Sequence, residues 1–180
     1  PAPGANGAPG VPTAAVGLPK QTYEGRMTMH MNGQEIQLIA VPRAHTDGDT
    51  MVYFPGLDVI MTGDFYRSLG YPNIDRANGG SMRGMLEGLA QIVAMAGPKT
   101  KIVPGHGSYI NKSEIVPYRD MILAVQARVQ ELINQGKTEE EVVTAHPTGP
   151  FDAKVPGGLL VANTGGGTTA DRFVRMIYSQ

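Results

Sequence analysis

Three short stretches of this sequence gather side chains that bind metals or move protons. They are Ala44-His45-Thr46-Asp47-Gly48-Asp49, Thr62-Gly63-Asp64-Phe65-Tyr66 and Pro104-Gly105-His106-Gly107. Each follows a run with strand character and carries glycine, and α/β folds place their sites in loops at the carboxyl ends of strands. Two histidines and a carboxylate, in a chain without cysteine, make a borderline-to-hard donor set suited to Zn, Fe or Mn. Each stretch also has a plain reading. A histidine beside glycine is commonly held by backbone hydrogen bonds, Asp47 and Asp49 form Asx turns, Asp64 sits in a turn, and Pro-Gly-His-Gly closes a strand. Spacing alone leaves the two readings level.

The elements that must position these residues read as strands first, then helices. Met27–Met31 and Glu35–Val41 alternate around Asn32-Gly33, a two-residue hairpin signal, with Ile36, Leu38 and Ala40 on one face. Met51–Phe54 and Val59–Met61, split by Pro55-Gly56, predict a second strand pair. Ser81 caps an amphipathic helix that Gly97-Pro98 ends, and Lys101–Val103 is a short strand. Ser113–Gln135 predicts a long helix whose regular part begins near Pro117. Thr138 with Glu141 predicts a capping box, His146 a helix end, and Thr169–Tyr178 a last helix. Residues 1–20 hold five Pro, four Gly and five Ala and read as a linker or long loop, leaving 21–180 as the domain. Thr164–Thr168 lacks the lysine and spacing of a phosphate loop and reads as a turn. The order fits an α/β or α+β sandwich with helices on one side of a sheet.

Composition narrows the partners. At 180 residues the chain is about one domain. Lys+Arg number 15 against 16 Asp+Glu, so no basic field exists for nucleic acid or an anionic membrane. The absence of cysteine excludes disulfides, a thiol nucleophile and any Cys-based zinc site. No apolar run is long enough to span a membrane. The ten methionines read as core filler. The sequence opens at Pro1 with neither Met nor a signal-peptide pattern, which points to processing or to a downstream piece of a longer polypeptide. Localisation stays open.

Taken with Gly79-Gly80-Ser81 and Thr100-Lys101-Ile102-Val103, the three stretches resemble, in order and spacing, the C-terminal half of a metallo-β-lactamase-fold hydrolase. The resemblance covers roughly residues 19–180. It implies an α/β fold, the αββα sandwich with a two-metal site at one edge, of which this chain supplies mainly the C-terminal half. His45 then completes the ligands of one metal, Asp64 bridges both metals or binds the second, and His106 binds the second. An aspartate at Asp64, where the largest β-lactamase subclass has cysteine, favours a broader hydrolase. The implied cofactor is two divalent ions, Zn before Fe or Mn. Held about 3.5–4 Å apart, such ions make hydroxide at neutral pH and polarise the scissile bond. Asp64 would position that hydroxide. Asp47 or Asp49 either accepts the second ring N–H of His45 or forms a turn. Arg67 either contacts a substrate carboxylate or is a solvent-exposed arginine. Tyr66 and Tyr71 either line the pocket mouth or pack the loop.

The sequence departs from the family at its most diagnostic element. The His-x-His-x-Asp-His loop is absent, and the earlier His30 lies in the hairpin without matching partners. The expectation is therefore a missing N-terminal segment or a companion chain that carries this loop; a half-domain without catalysis and an open one-metal site are the alternatives. With that segment, the reading is a metal-dependent hydrolase of a small-molecule ester, lactone, thioester or β-lactam. The other readings are a non-catalytic scaffold of the same fold and a phosphodiesterase.

Overall fold

The computed structural model describes residues 14–162 and 166–179. A single sheet runs in chain order: β1 (Arg26–Met31), β2 (Gln34–Val41), β3 (Asp49–Phe54), β4 (Val59–Arg67) and β5 (Lys101–His106). The first four strands are antiparallel neighbours, and β5 joins β4 in parallel. Asn32 (φ 52°) and Gly33 (φ 73°) make the hairpin, since a tight turn matched to strand twist needs both residues left-handed. The parallel pair requires a crossover, which α1 (Met82–Met95) supplies between β4 and β5.

Alternation fixes which face is core. Ile39, Val41, Met51, Ile60 and Ile102 point one way and are buried. Against them pack Met85, Leu89 and Ile92 of α1, together with α2 (Ile115–Asn134) and α5 (Thr169–Tyr178). Each such side chain contributes about 1.5–3 kcal/mol when fully buried. The opposite face is apolar as well, yet nothing among the described residues fully covers it. Met27, Met29, Ile36, Leu38 and Val52 are partly exposed there, and Met61 is 42% exposed. The Ile36–Leu38–Ala40 face of the hairpin is thus the open one, and the intervening Ile39 and Val41 enter the core.

Helix ends follow local chemistry. Ser81 accepts from the Gly84 N–H and caps α1. Pro117 lies in the first turn of α2, where its missing N–H costs nothing, so the helix starts two residues earlier than expected, at Ile115. Thr138 and Glu141 close a capping box on α3 (Glu139–Thr144). A one-turn helix, α4 (Gly149–Asp152), leads toward α5, where Thr168 and Asp171 form a second capping box. Of the proline-rich start, residues 1–13 lie outside the described residues; 14–20 are exposed and hold one 3-10 turn, Ala15–Gly17. Of the Thr164–Thr168 stretch, residues 164 and 165 lie outside them too.

Candidate metal centre

β2, β4 and β5 run the same way, so their carboxyl ends share one edge of the sheet. His45 follows β2. Arg43 turns the chain there with φ 61°, and the 75–81 segment clamps the loop: Ser81 N–H donates to Ala44 O (2.9 Å), Asp75 N–H to His45 O (2.8 Å) and Asp47 N–H to Asn78 O (2.9 Å). The approach is close enough that a Cβ on Gly80 would strike the His45 carbonyl.

Asp64 and His106 lie in strands rather than in the loops expected for them, because β4 and β5 run on past Met61 and Val103. Asp64 lies within the second of two register shifts of β4, beside Gly63 at φ 58°. His106 is the last residue of β5, and its carbonyl accepts from Ser68 N–H at 3.0 Å. A Cβ on Gly105 would land on Asp64 Oδ1, so glycine leaves the room that the carboxylate occupies.

The three side chains meet. Asp64 Oδ2 is 3.7 Å from His45 Nε2, and Asp64 Oδ1 is 3.4 Å from His106 Nε2, one carboxylate oxygen to each ring. Both separations exceed a good hydrogen bond. His45 Nδ1 lies 2.8 Å from Asn73 O, an acceptor only, which assigns the ring proton to Nδ1 and leaves the Nε2 lone pair facing Asp64. A lone pair opposite an anionic oxygen is relieved by an electrophile between them, a water O–H, a proton or a metal ion. In kind, then, the donors fit a divalent metal. In number they fall short: among the described residues no group of three or more His, Asp or Glu side chains closes into a site able to hold an ion.

The neighbours have settled places. The Asn73 carbonyl, rather than Asp47 or Asp49, faces His45 Nδ1, so of the two readings of those aspartates the turn role is the one that fits Asp49. Asp49 instead accepts from the Thr46 N–H (2.9 Å) and hydroxyl (3.3 Å), a turn role. Tyr71 is fully buried, and its hydroxyl donates to Asp152 Oδ1 at 2.6 Å, so it packs the loop. Tyr66 lies edge-on to Tyr118, centroids 4.8 Å apart, and burial and then Glu114 push its hydroxyl well above the usual phenol range. Tyr66 and Arg67 line a cleft of about 280 Å³ between β4, the start of α2 and residues 151–156. Arg67 is paired in register with His106, so the cleft adjoins the histidine. His30 is exposed in β1 opposite Glu35, outside this edge. Sequence reasoning missed Asn73, since a backbone carbonyl leaves no signature in residue type.

No family model matches the sequence, and no curated protein matches it. Solved structures do. Pisa1, a stereoselective inverting sec-alkylsulfatase from Pseudomonas sp., superposes at TM-score 0.61 and 14% identity over 88% of this chain and 26% of its own. A double mutant of that enzyme gives TM-score 0.57 at 14% identity and the same coverage. A metallo-β-lactamase from Pontibacter korlensis is similar at 19% identity over 58% of this chain and 50% of its own, with TM-score 0.49. The fold is the metallo-β-lactamase fold, as the sequence motifs led us to expect. This chain spans about a quarter of the length of the alkylsulfatase it matches.

Proposed function

We propose that this chain is part of a metal-dependent hydrolase, with His45, Asp64 and His106 as metal ligands. The observation that carries the reading is the array itself: one carboxylate between two imidazoles, with the His45 proton held on the far side of its ring by Asn73. Bound divalent ions supply an activated water and polarise the scissile bond. Asp64 keeps both imidazoles in reach of one centre, the Asn73 carbonyl fixes the His45 tautomer, and Arg67 and Tyr66 border the cleft where a small substrate lies. Bonds of the ester, lactone, thioester or β-lactam type suit this chemistry, and zinc suits the donors best.

Among the described residues the array is short of donors, and the sheet has one face without a full cover. Both deficits point to one remedy, a further segment or companion chain that brings the His-x-His-x-Asp-His loop and packs on Met27, Leu38, Val52 and Met61. A non-catalytic scaffold is the second reading, favoured by the open state of the array among the described residues.

Elemental mass spectrometry on the protein purified with all its segments, followed by hydrolysis assays with and without chelator, separates the two. About two Zn, Fe or Mn per copy and chelator-sensitive turnover are expected for the binuclear hydrolase. A metal-free protein that stays metal-free when ions are offered leaves the scaffold.

A further inference from the structure

The mouth of the cleft opens onto exposed aliphatic side chains. Leu69, Leu159, Leu160 and Val161 are between 42% and 82% exposed. Leu69 stands between Ser68 and Gly70, which both line the cleft, and Gly157 follows Pro156, which lines it too. A Cβ on Gly157 would touch Cδ1 of both Leu69 and Leu160, so the two leucines lie side by side at this glycine. Leu159 and Val161 flank Leu160 in the chain. Single exposed leucines are ordinary on a protein surface, whereas a contiguous group at the rim of a cleft marks a surface that meets an apolar ligand.

The backbone beneath this ledge is fixed. Gly70 N–H donates to Pro156 O (2.6 Å) and Tyr71 N–H to Thr169 Oγ1 (3.2 Å), which joins the loop after β4 to residues 156–161 and to α5. Thr169 N–H donates to Leu160 O (2.9 Å), Ala170 N–H to Gly158 O (3.1 Å), and Val161 bridges Thr168. A ligand that lies on such a ledge orders little of the protein, so more of its burial appears as affinity. Ser68 N–H is bonded to His106 O at 3.0 Å, so the ledge, the cleft and the metal array follow one another along the same edge.

Size and lining select the occupant. Met121, Phe151, Val155 and Pro156 make apolar walls, and about 280 Å³ is at the low end for a ligand pocket. A hydrocarbon chain of more than a few carbons that enters the cleft therefore continues over Leu69 and Leu160. A folded partner fits less well, because four side chains fall short of the ~800 Å² per partner that a stable protein interface buries. We infer that Leu69 and Leu160, with Leu159 and Val161 beside them, seat a linear aliphatic chain whose polar end lies at the metal array. The apolar seat rests on the ledge and the cleft alone; the assignment of the chain to the substrate rests on the hydrolase reading.

The test uses uncharged probes and no metal, so its outcome is independent of that reading. Leucine and valine methyl signals are followed in the protein purified with all its segments and stripped of metal, as 1-butanol, 1-hexanol or 1-octanol is added. The expected result is a saturable shift of the Leu69 and Leu160 methyls, with Kd falling about fourfold for each methylene added. Leu69→Ser and Leu160→Ser should each weaken octanol binding about tenfold. Leu69→Met and Leu160→Met keep the apolar surface and should bind as the wild type does, which separates a lost seat from a lost fold. The Leu38 methyls, on the open sheet face, are the internal reference. Equal shifts at Leu38, no dependence on chain length, or unchanged affinity in the serine variants would overturn the proposal. So would silence toward octanol together with broadening by phosphatidylcholine vesicles, which would make the ledge a membrane-facing surface.

Discussion

His45 shows how much a single backbone group decides. With its Nδ1 proton given to the Asn73 carbonyl, the ring presents Nε2 to Asp64. The loop bearing Asn73 is anchored by Tyr71, whose hydroxyl shares Asp152 with His146 Nε2, each at 2.6 Å. Burial, reinforced by the bond to Asp152, holds the Tyr71 hydroxyl above the usual phenol range. Tyr71→Phe should therefore cost about 1–2 kcal/mol in urea denaturation, because it strips one donor from a mostly buried carboxylate. Wild-type stability in that variant would show the tyrosine bond to be dispensable. His45, Asp64 and His106 stood out in the sequence by residue type and neighbouring glycine. Asn73 did not, since a backbone carbonyl carries no signature in residue type until the chain folds back to bring it against His45.

At the scale of elements, glycine and capping chemistry do the positioning. A methyl at Gly80 meets the His45 carbonyl, and one at Gly105 meets Asp64 Oδ1. Gly80→Ala should destabilise the fold by about 1–3 kcal/mol, since backbone must yield. Gly105→Ala should displace Asp64 and also press on the Gly63 carbonyl, so it should weaken zinc binding as well as stability, whereas Gly80→Ala touches no ligand side chain; calorimetry with zinc beside urea denaturation distinguishes the two. The capping box of α3 titrates. The backbone and side chain of Thr138, and then Lys137, hold Glu141 below its ordinary value of 4.5, and Arg175 does the same for Glu140. A carboxylate with a lowered folded-state pKa stabilises fully above its unfolded value, and the contribution is lost as pH falls through the folded value. Stability should thus decline below about pH 4.5, with Glu141→Gln flattening that limb; an identical acid limb in the variant would refute this origin. Caps and the Asn32-Gly33 turn were legible because they act within a few residues. Strand ends were not: β4 and β5 run beyond their apolar cores because their pairing continues through register shifts.

For the whole molecule, the decisive feature is a sheet with two apolar faces and helices on one. Alternation marked the Ile36–Leu38–Ala40 face in the sequence and not the Ile39–Val41 face that enters the core; which face is covered depends on where α1 and α2 pack, and that is a tertiary fact. The open face predicts self-association of the isolated chain. Leu38→Lys should reduce it in sedimentation experiments while leaving the helix-covered core intact, because Leu38 lies opposite Val52 on the uncovered side. A wild-type chain that stays monomeric would contradict that expectation. The fold and its resemblance were readable from motifs spread over three strand ends. The companion segment was suggested only by what those motifs lack.

The central claim is that His45, Asp64 and His106 act as one metal-binding unit. A zinc titration followed by the ring ¹⁵N signals of both histidines tests it most directly. The His45 and His106 signals should move together at the same zinc concentration, and Asp64→Asn should abolish the joint response. Rings that do not respond, or that respond independently of each other and of Asp64, would contradict it.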